Sequence, residues 1–163
     1  TGSTPSSMHS LYALSPWLQG GWYCATTVDT VFDEHEFTAY VDTLCRMEQR
    51  ADGDGLMGVT GYVDDERPLY VAADSDGAVT GFYDQAPTGG AHYVSAGIYG
   101  LAPQSLDILA ECVQRGDSRM RNFQRALVAD GQRLRAYAFS QVFDIDHAAD
   151  IDKAEQWLKR PRP

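Results

Sequence analysis

The chain is predicted to fold as a single α/β domain in which a mixed sheet is flanked by helices. Segments of helical and of extended periodicity alternate at both ends of the sequence, the arrangement of a sheet covered by helices. In the middle, Asp74-Ser75-Asp76-Gly77 is a strong hairpin signal, so some neighbouring strands must be antiparallel. The 163 residues, 44% of them hydrophobic, match the length of one domain with a substantial core.

Taken in order, the polar opening Thr1–Ser7 supplies a cap for a helix over Met8–Leu18, which stops near Gly20-Gly21. The aromatic and β-branched run Trp22–Val28 reads as a strand that ends at Asp29. A helix from about Glu34 to Arg50 follows, with Phe37, Tyr40, Val41, Leu44 and Met47 on one face. Ala51-Asp52-Gly53-Asp54-Gly55 breaks it. Three extended segments, Leu56–Val63, Leu69–Ala73 and Ala78–Gln85, are separated by Asp64-Asp65-Glu66-Arg67-Pro68 and by the hairpin signal. After the loop Ala86–Gly90 comes a strand over His92–Tyr99. Pro103–Gln114 reads as a helix with proline in its first turn and a stripe of Leu106, Leu109, Ala110 and Val113. A second helix runs from Arg119 to Ala129. One long strand, Arg133–Ile145, bent near its middle, leads into a last helix, about Ala148–Arg160, which Pro161 ends. The order is α-β-α-β-β-β-β-α-α-β-α.

A net charge of −10 argues against a nucleic-acid polymer as partner, since phosphate backbones need a basic surface. Small phosphorylated ligands remain open, because carboxylates can hold them through a divalent cation supported by local arginines. No apolar run reaches membrane-spanning length, and the opening residues do not read as a secretory signal. Cys24, Cys45 and Cys112 have neither disulfide nor zinc spacing, which points to a reducing cytoplasm.

The carboxylates at strand ends are the residues that could carry chemistry. Asp29 reads either as a turn or cap residue or as a metal ligand at the carboxyl edge of the sheet, where ligands of open α/β folds gather. Asp144 and Asp146, two apart, project on one side of an extended strand. Asp146 could equally cap the last helix, and Asp150 suits that helix's first turn. Gly97, inside the strand Ser95-Ala96-Gly97-Ile98-Tyr99, marks a bulge or the close approach of a ligand. Arg121 and Arg125 share a helix face, either solvated or turned to a phosphate. His147, next to Asp146, starts the last helix or lines a site. The four histidines lack zinc spacing, and there is no Gly-x-Ser-x-Gly elbow.

In order along the chain, four segments resemble motifs of the nucleotidyltransferase superfamily that couples a nucleoside triphosphate to a sugar 1-phosphate or similar phosphorylated alcohol. Ser6-Ser7-Met8-His9-Ser10-Leu11 is similar to the helix start beneath the nucleotide base, and Thr26–Phe32 to the strand whose terminal aspartate binds metal. Tyr93–Tyr99 resembles the strand along the sugar-phosphate pocket, and Asp146–Ile151 the closing motif with the second metal ligand. The resemblance implies the carboxyl-terminal part of a Rossmann-like (GT-A-like) nucleotidyltransferase domain. Its partners would be a nucleoside triphosphate and a phosphorylated small-molecule acceptor, with Mg²⁺ on Asp29 and Asp146. It would put Ser7, Ser10 and Gly97 on the nucleotide side, and Ser95, Ala96, Arg121 and Arg125 on the acceptor side.

The family's glycine-rich triphosphate loop has no counterpart here. The expectation is therefore a fragment, inactive alone, whose open sheet edge is covered by self-association or by a missing amino-terminal segment. Two other readings stand beside it: a metal-dependent glycosyltransferase using Asp144-Ile145-Asp146, and a non-catalytic ligand-binding module.

Overall fold

In the computed structural model, residues 3–63, 67–88 and 92–159 are described. The loop residues Asp64–Glu66, the end of the Ala86–Gly90 loop and the expected stop at Pro161 lie outside them.

The first helix, α1 (Ser7–Leu14), is capped by Ser6 and continues as a 3-10 turn over Ser15–Trp17. It is shorter than the expected Met8–Leu18 because Pro16 has no N–H to extend the α-helical ladder. Strand β1 (Tyr23–Thr26) is followed by a two-residue strand, β2 (Thr30–Val31), and by α2 (Glu34–Arg50), whose bounds match the sequence expectation. β3 (Gly55–Thr60), β4 (Tyr70–Ala73), β5 (Val79–Tyr83) and β6 (His92–Leu101) come next. Then follow α3 (Ser105–Gln114), α4 (Met120–Ala129), β7 (Leu134–Phe139), β8 (Phe143–Asp144) and α5 (Ala148–Leu158).

The main sheet runs β5-β4-β6-β3-β7, with β1 also paired to β6. It is mixed, as expected: β3 and β7 are parallel and the other pairs antiparallel. β3 is buried along all six residues, since it lies between β6 and β7 with helices over both faces. On one face Met57, Val59, Tyr99 and Leu134 pack with Met8 and Leu11 of α1, Leu109 of α3, and Phe123 and Leu127 of α4. On the other, Leu56, Ile98 and Phe139 pack with Tyr40, Leu44 and Met47 of α2, the stripe read from the sequence.

Two expectations fail. The long strand Arg133–Ile145 is two strands in two sheets: β7 ends at Phe139, and β8 pairs antiparallel with β2 in a separate ribbon. The buried stripe of α3 is also rotated. Ser105, Leu106, Ile108, Leu109 and Cys112 are buried, while Ala110 and Val113 are only partly so. α3 packs against α1 and α4 as well as the sheet, which turns its inward face toward Ser105 and Cys112.

Candidate functional site

The β2–β8 ribbon builds the site. Thr30 pairs with Asp144 and Val31 with Phe143, and Ile145 N donates to Asp29 O at 2.9 Å. This register sets Asp29, at the end of the loop after β1, beside the carboxyl end of β8. One carboxylate oxygen from each of Asp29, Asp144 and Asp146 lies within 4.8 Å of the others. Asp29 is half-buried and the other two are exposed. Three like charges this close repel unless a cation shares them, and carboxylate oxygens are the hard donors Mg²⁺ takes. The donor set fits the ion.

The sequence alone assigned Asp29 and Asp146 and left Asp144 beside them; the structure brings all three together. Capping does not account for Asp146, because the N-cap of α5 is His147, whose N–H donates to Asp150 Oδ2 at 2.9 Å. Asp150 therefore serves the first turn, as its position suggested.

Gly97 is held by two constraints. Its φ of +70° favours glycine, and an added Cβ would stand 2.7 Å from Thr27 Oγ1 and 2.8 Å from Thr30 Oγ1. Those two hydroxyls are hydrogen-bonded to each other, and Thr27 N donates to Gly97 O at 3.0 Å. A bulge accompanies this approach: Met57 pairs with Tyr99 but Val59 with Ser95, so Ala96-Gly97-Ile98 stand opposite Gly58 alone.

Two cavities meet at this bulge and share Ser95, Gly97 and Asp144 as walls. The first, about 510 Å³, adds Tyr62, Arg67, Ala96, Asp146, His147 and Lys153. The second, about 410 Å³, adds Ser7, Thr27, Arg119, Arg121 and Gln124. Tyr99, also on its wall, is pushed up to about 12, chiefly by burial and further by the charges of Asp144 and Asp29, against a lowering hydrogen bond from Ser95.

Of the remaining sequence-derived candidates, Ser10 lines neither cavity; its hydroxyl donates to Ser6 O at 3.2 Å. Arg121 reaches the second cavity while holding Asp84 at 2.5 Å. Arg125 lines neither cavity, because its guanidinium holds Asp84 at 2.8 Å and Phe82 O at 3.1 Å. Arg67, Lys153 and Gln124 escaped the sequence reading. The first two sit in a loop and on a helix with no local mark of a site, whereas Gln124 left one sign, an amide on the apolar face of α4.

The mixed sheet covered by helices on both faces is a fold shared with solved structures of nucleotidyl-transferring enzymes. Among solved structures, the chain is similar to the inositol-1-phosphate CTP transferase of T. maritima, with a TM-score of 0.72 and 11% identity over 97% of this chain and 64% of that one. It is similar also to UDP-glucose pyrophosphorylase of Acinetobacter baumannii, with a TM-score of 0.72 and 16% identity over 98% and 59% of the two chains. The UTP-bound form of an enzyme of that name and source gives a TM-score of 0.70 and 14% identity over 95% and 57%. The chain thus spans less than two thirds of the length of these structures. No protein-family model and no curated protein matches it.

Proposed function

We propose that this chain carries the metal-binding and acceptor side of a nucleotidyltransferase site. The whole protein would transfer a nucleotidyl group from a nucleoside triphosphate to a sugar 1-phosphate or similar phosphorylated alcohol. The observation that carries the reading is the cluster of the Asp29, Asp144 and Asp146 carboxylates beside two cavities, with Asp144 on the wall the cavities share and Asp146 on the wall of the first. A two-substrate reaction needs this: two separate sites whose reacting ends meet at one place.

In the reaction, an oxygen of the acceptor phosphate attacks the α-phosphorus of the triphosphate. The bond from that phosphorus to the bridging oxygen breaks, and pyrophosphate leaves with the electron pair. Both partners are anions, so the site must hold like charges together. Mg²⁺ held by Asp29 and Asp146 would supply the charge screening and transition-state stabilisation. Asp144 neighbours that pair and fixes its spacing through the β2–β8 ribbon. The Ser95 and Thr27 hydroxyls offer hydrogen bonds to phosphoryl oxygens, and Arg121 and Lys153 offer positive charge from opposite cavities.

The test is pyrophosphate release with each nucleoside triphosphate and a panel of phosphosugars, using this chain and a longer form. The longer form is expected to turn over, and Asp29→Asn or Asp146→Asn to lower its rate about 100-fold or more. Full activity in both variants would reject the metal assignment. A glycosyltransferase reading has one observation of its own, the presence of both Asp144 and Asp146 in the cluster. It requires sugar transfer from a nucleotide sugar without pyrophosphate release, which the same assay separates.

A further inference from the structure

Gln124 is 2% exposed, on a helix whose other fully inward residues, Phe123 and Leu127, are apolar. Burying an amide is costly unless it is hydrogen-bonded, and an apolar side chain of similar volume would pack α4 as well. The amide is committed to one place: its Nε2 donates to Ser95 Oγ at 2.9 Å. Ser95 is held through its backbone too, its N–H donating to Leu69 O at 2.9 Å.

The direction of this bond has a consequence. An amide NH₂ can only donate, so Ser95 Oγ must accept there, and its own hydrogen is left to serve another acceptor. The side chain of Ser95 is half-buried and forms part of both cavity walls. The Tyr99 hydroxyl, on the wall of the second cavity, is the neighbouring acceptor for that hydrogen, and a charged phosphoryl oxygen in the cleft is the stronger one.

We propose that Gln124 is a positioning residue that fixes the Ser95 hydroxyl as a hydrogen-bond donor to a phosphoryl oxygen of a ligand in the cleft. The inference rests on the nucleotidyltransferase reading. Gln124 touches no ligand; it acts through Ser95 by occupying a lone pair of that oxygen, which commits the hydroxyl to donating its hydrogen and lets an incoming phosphoryl oxygen take it from Tyr99. Recognition of a phosphoryl group is thereby tied to a residue of the helical layer rather than to the carboxylate cluster.

The experiment is a double-mutant cycle in ligand binding. Affinities for glucose 1-phosphate and for inorganic pyrophosphate are measured by calorimetry in MgCl₂, for the wild type, Gln124→Met, Ser95→Ala and the double variant. Thermal melts confirm that each is folded. Gln124→Met is expected to weaken binding about threefold to tenfold and Ser95→Ala about tenfold. On the Ser95→Ala background Gln124→Met should then add no further loss, since it has nothing left to orient. Affinity for Mg²⁺ alone should stay unchanged in both single variants, which a general loosening of the site would not allow. If Gln124→Met does not fold, Gln124→Asn, shorter by one methylene, withdraws the amide from Ser95 and should give the same loss. Wild-type affinity in the Gln124 variant, or losses that simply add in the double variant, overturns the inference alone. Failure of the wild type to bind either probe overturns the functional reading and the inference with it.

Discussion

At Gly97 the requirements of backbone, packing and site coincide in one residue. Alanine there would have to adopt a φ of +70° and push its Cβ to within 2.7 Å of Thr27 Oγ1 and 2.8 Å of Thr30 Oγ1. The expected cost of Gly97→Ala is about 1–3 kcal/mol, measurable as a lowered urea midpoint. Because the two threonines precede and follow the Asp29 loop, Mg²⁺ affinity should fall as well; unchanged affinity would separate the bulge from the carboxylates. A second residue-scale test concerns Asp84, whose carboxyl is held below the usual range by hydrogen bonds from Arg121 and then Arg125. A carboxyl whose pKa is lowered on folding stabilises the folded chain above its ordinary value of 3.8, and that contribution disappears as pH falls through the lowered value. Acid titration of stability should thus show wild type and Asp84→Asn converging at the acid end and separating toward neutral pH. Parallel curves would mean that the exposed clamp adds nothing.

Element by element, what could be read in advance was what local periodicity determines. α2 has its apolar residues at regular helical spacing against one sheet face, so both its bounds and its stripe were legible. Asp33 adds a local start signal: Oδ1 accepts from His35 N at 2.7 Å and from Glu36 N at 3.0 Å. Asp33→Ala is expected to cost about 1 kcal/mol, read from the shift in denaturation midpoint, and Asp33→Asn considerably less. The Asp74–Gly77 hairpin was legible for a similar reason, since Asp74 Oδ1 accepts from Asp76 N and Ala78 N, both at 2.9 Å. The β2–β8 ribbon was not. Two residues on each side carry no period, and their pairing joins segments more than a hundred positions apart, so only the folded chain shows that Thr30 meets Asp144. The candidate site divided along the same line: Asp29, Asp146 and the Ser95–Gly97 stretch carried local marks, whereas the place of Asp144 and Gln124 depends on long-range packing. α3 was misread because three neighbours, rather than one sheet face, decide which of its residues turn inward.

Across the whole molecule, the edges of the sheet are managed unequally. The outer strands β5 and β7 come together at the tip of the hairpin, where Ala136 N donates to Gly77 O at 2.9 Å and Arg135 Nη2 to Asp76 O at 3.1 Å. β1 has no such closure: it is hydrogen-bonded to β6 on one side, and no strand among the described residues pairs with its other side. Exposed apolar residues flank it, with Trp17 at 78% exposure before the strand and Val28 at 104% after it. A strand edge with unpaired backbone groups and apolar neighbours is a template for pairing with another chain. The solved structures of this fold contain roughly a third or more of additional chain, which makes an added covering segment one occupant and a second copy of this chain the other. For the chain alone, self-association is the expected outcome: sedimentation velocity over a concentration series should show the mean coefficient rising with concentration. Trp17→Glu and Val28→Asp together should hold it at the monomer value, because each places a charge beside the edge without touching the core. In a longer form in which this edge is covered, the same substitutions should lower stability instead, and amide exchange over Tyr23–Thr26 should slow. A chain that stays monomeric at every concentration, with fast exchange over those four residues in both forms, would show that β1 needs no cover.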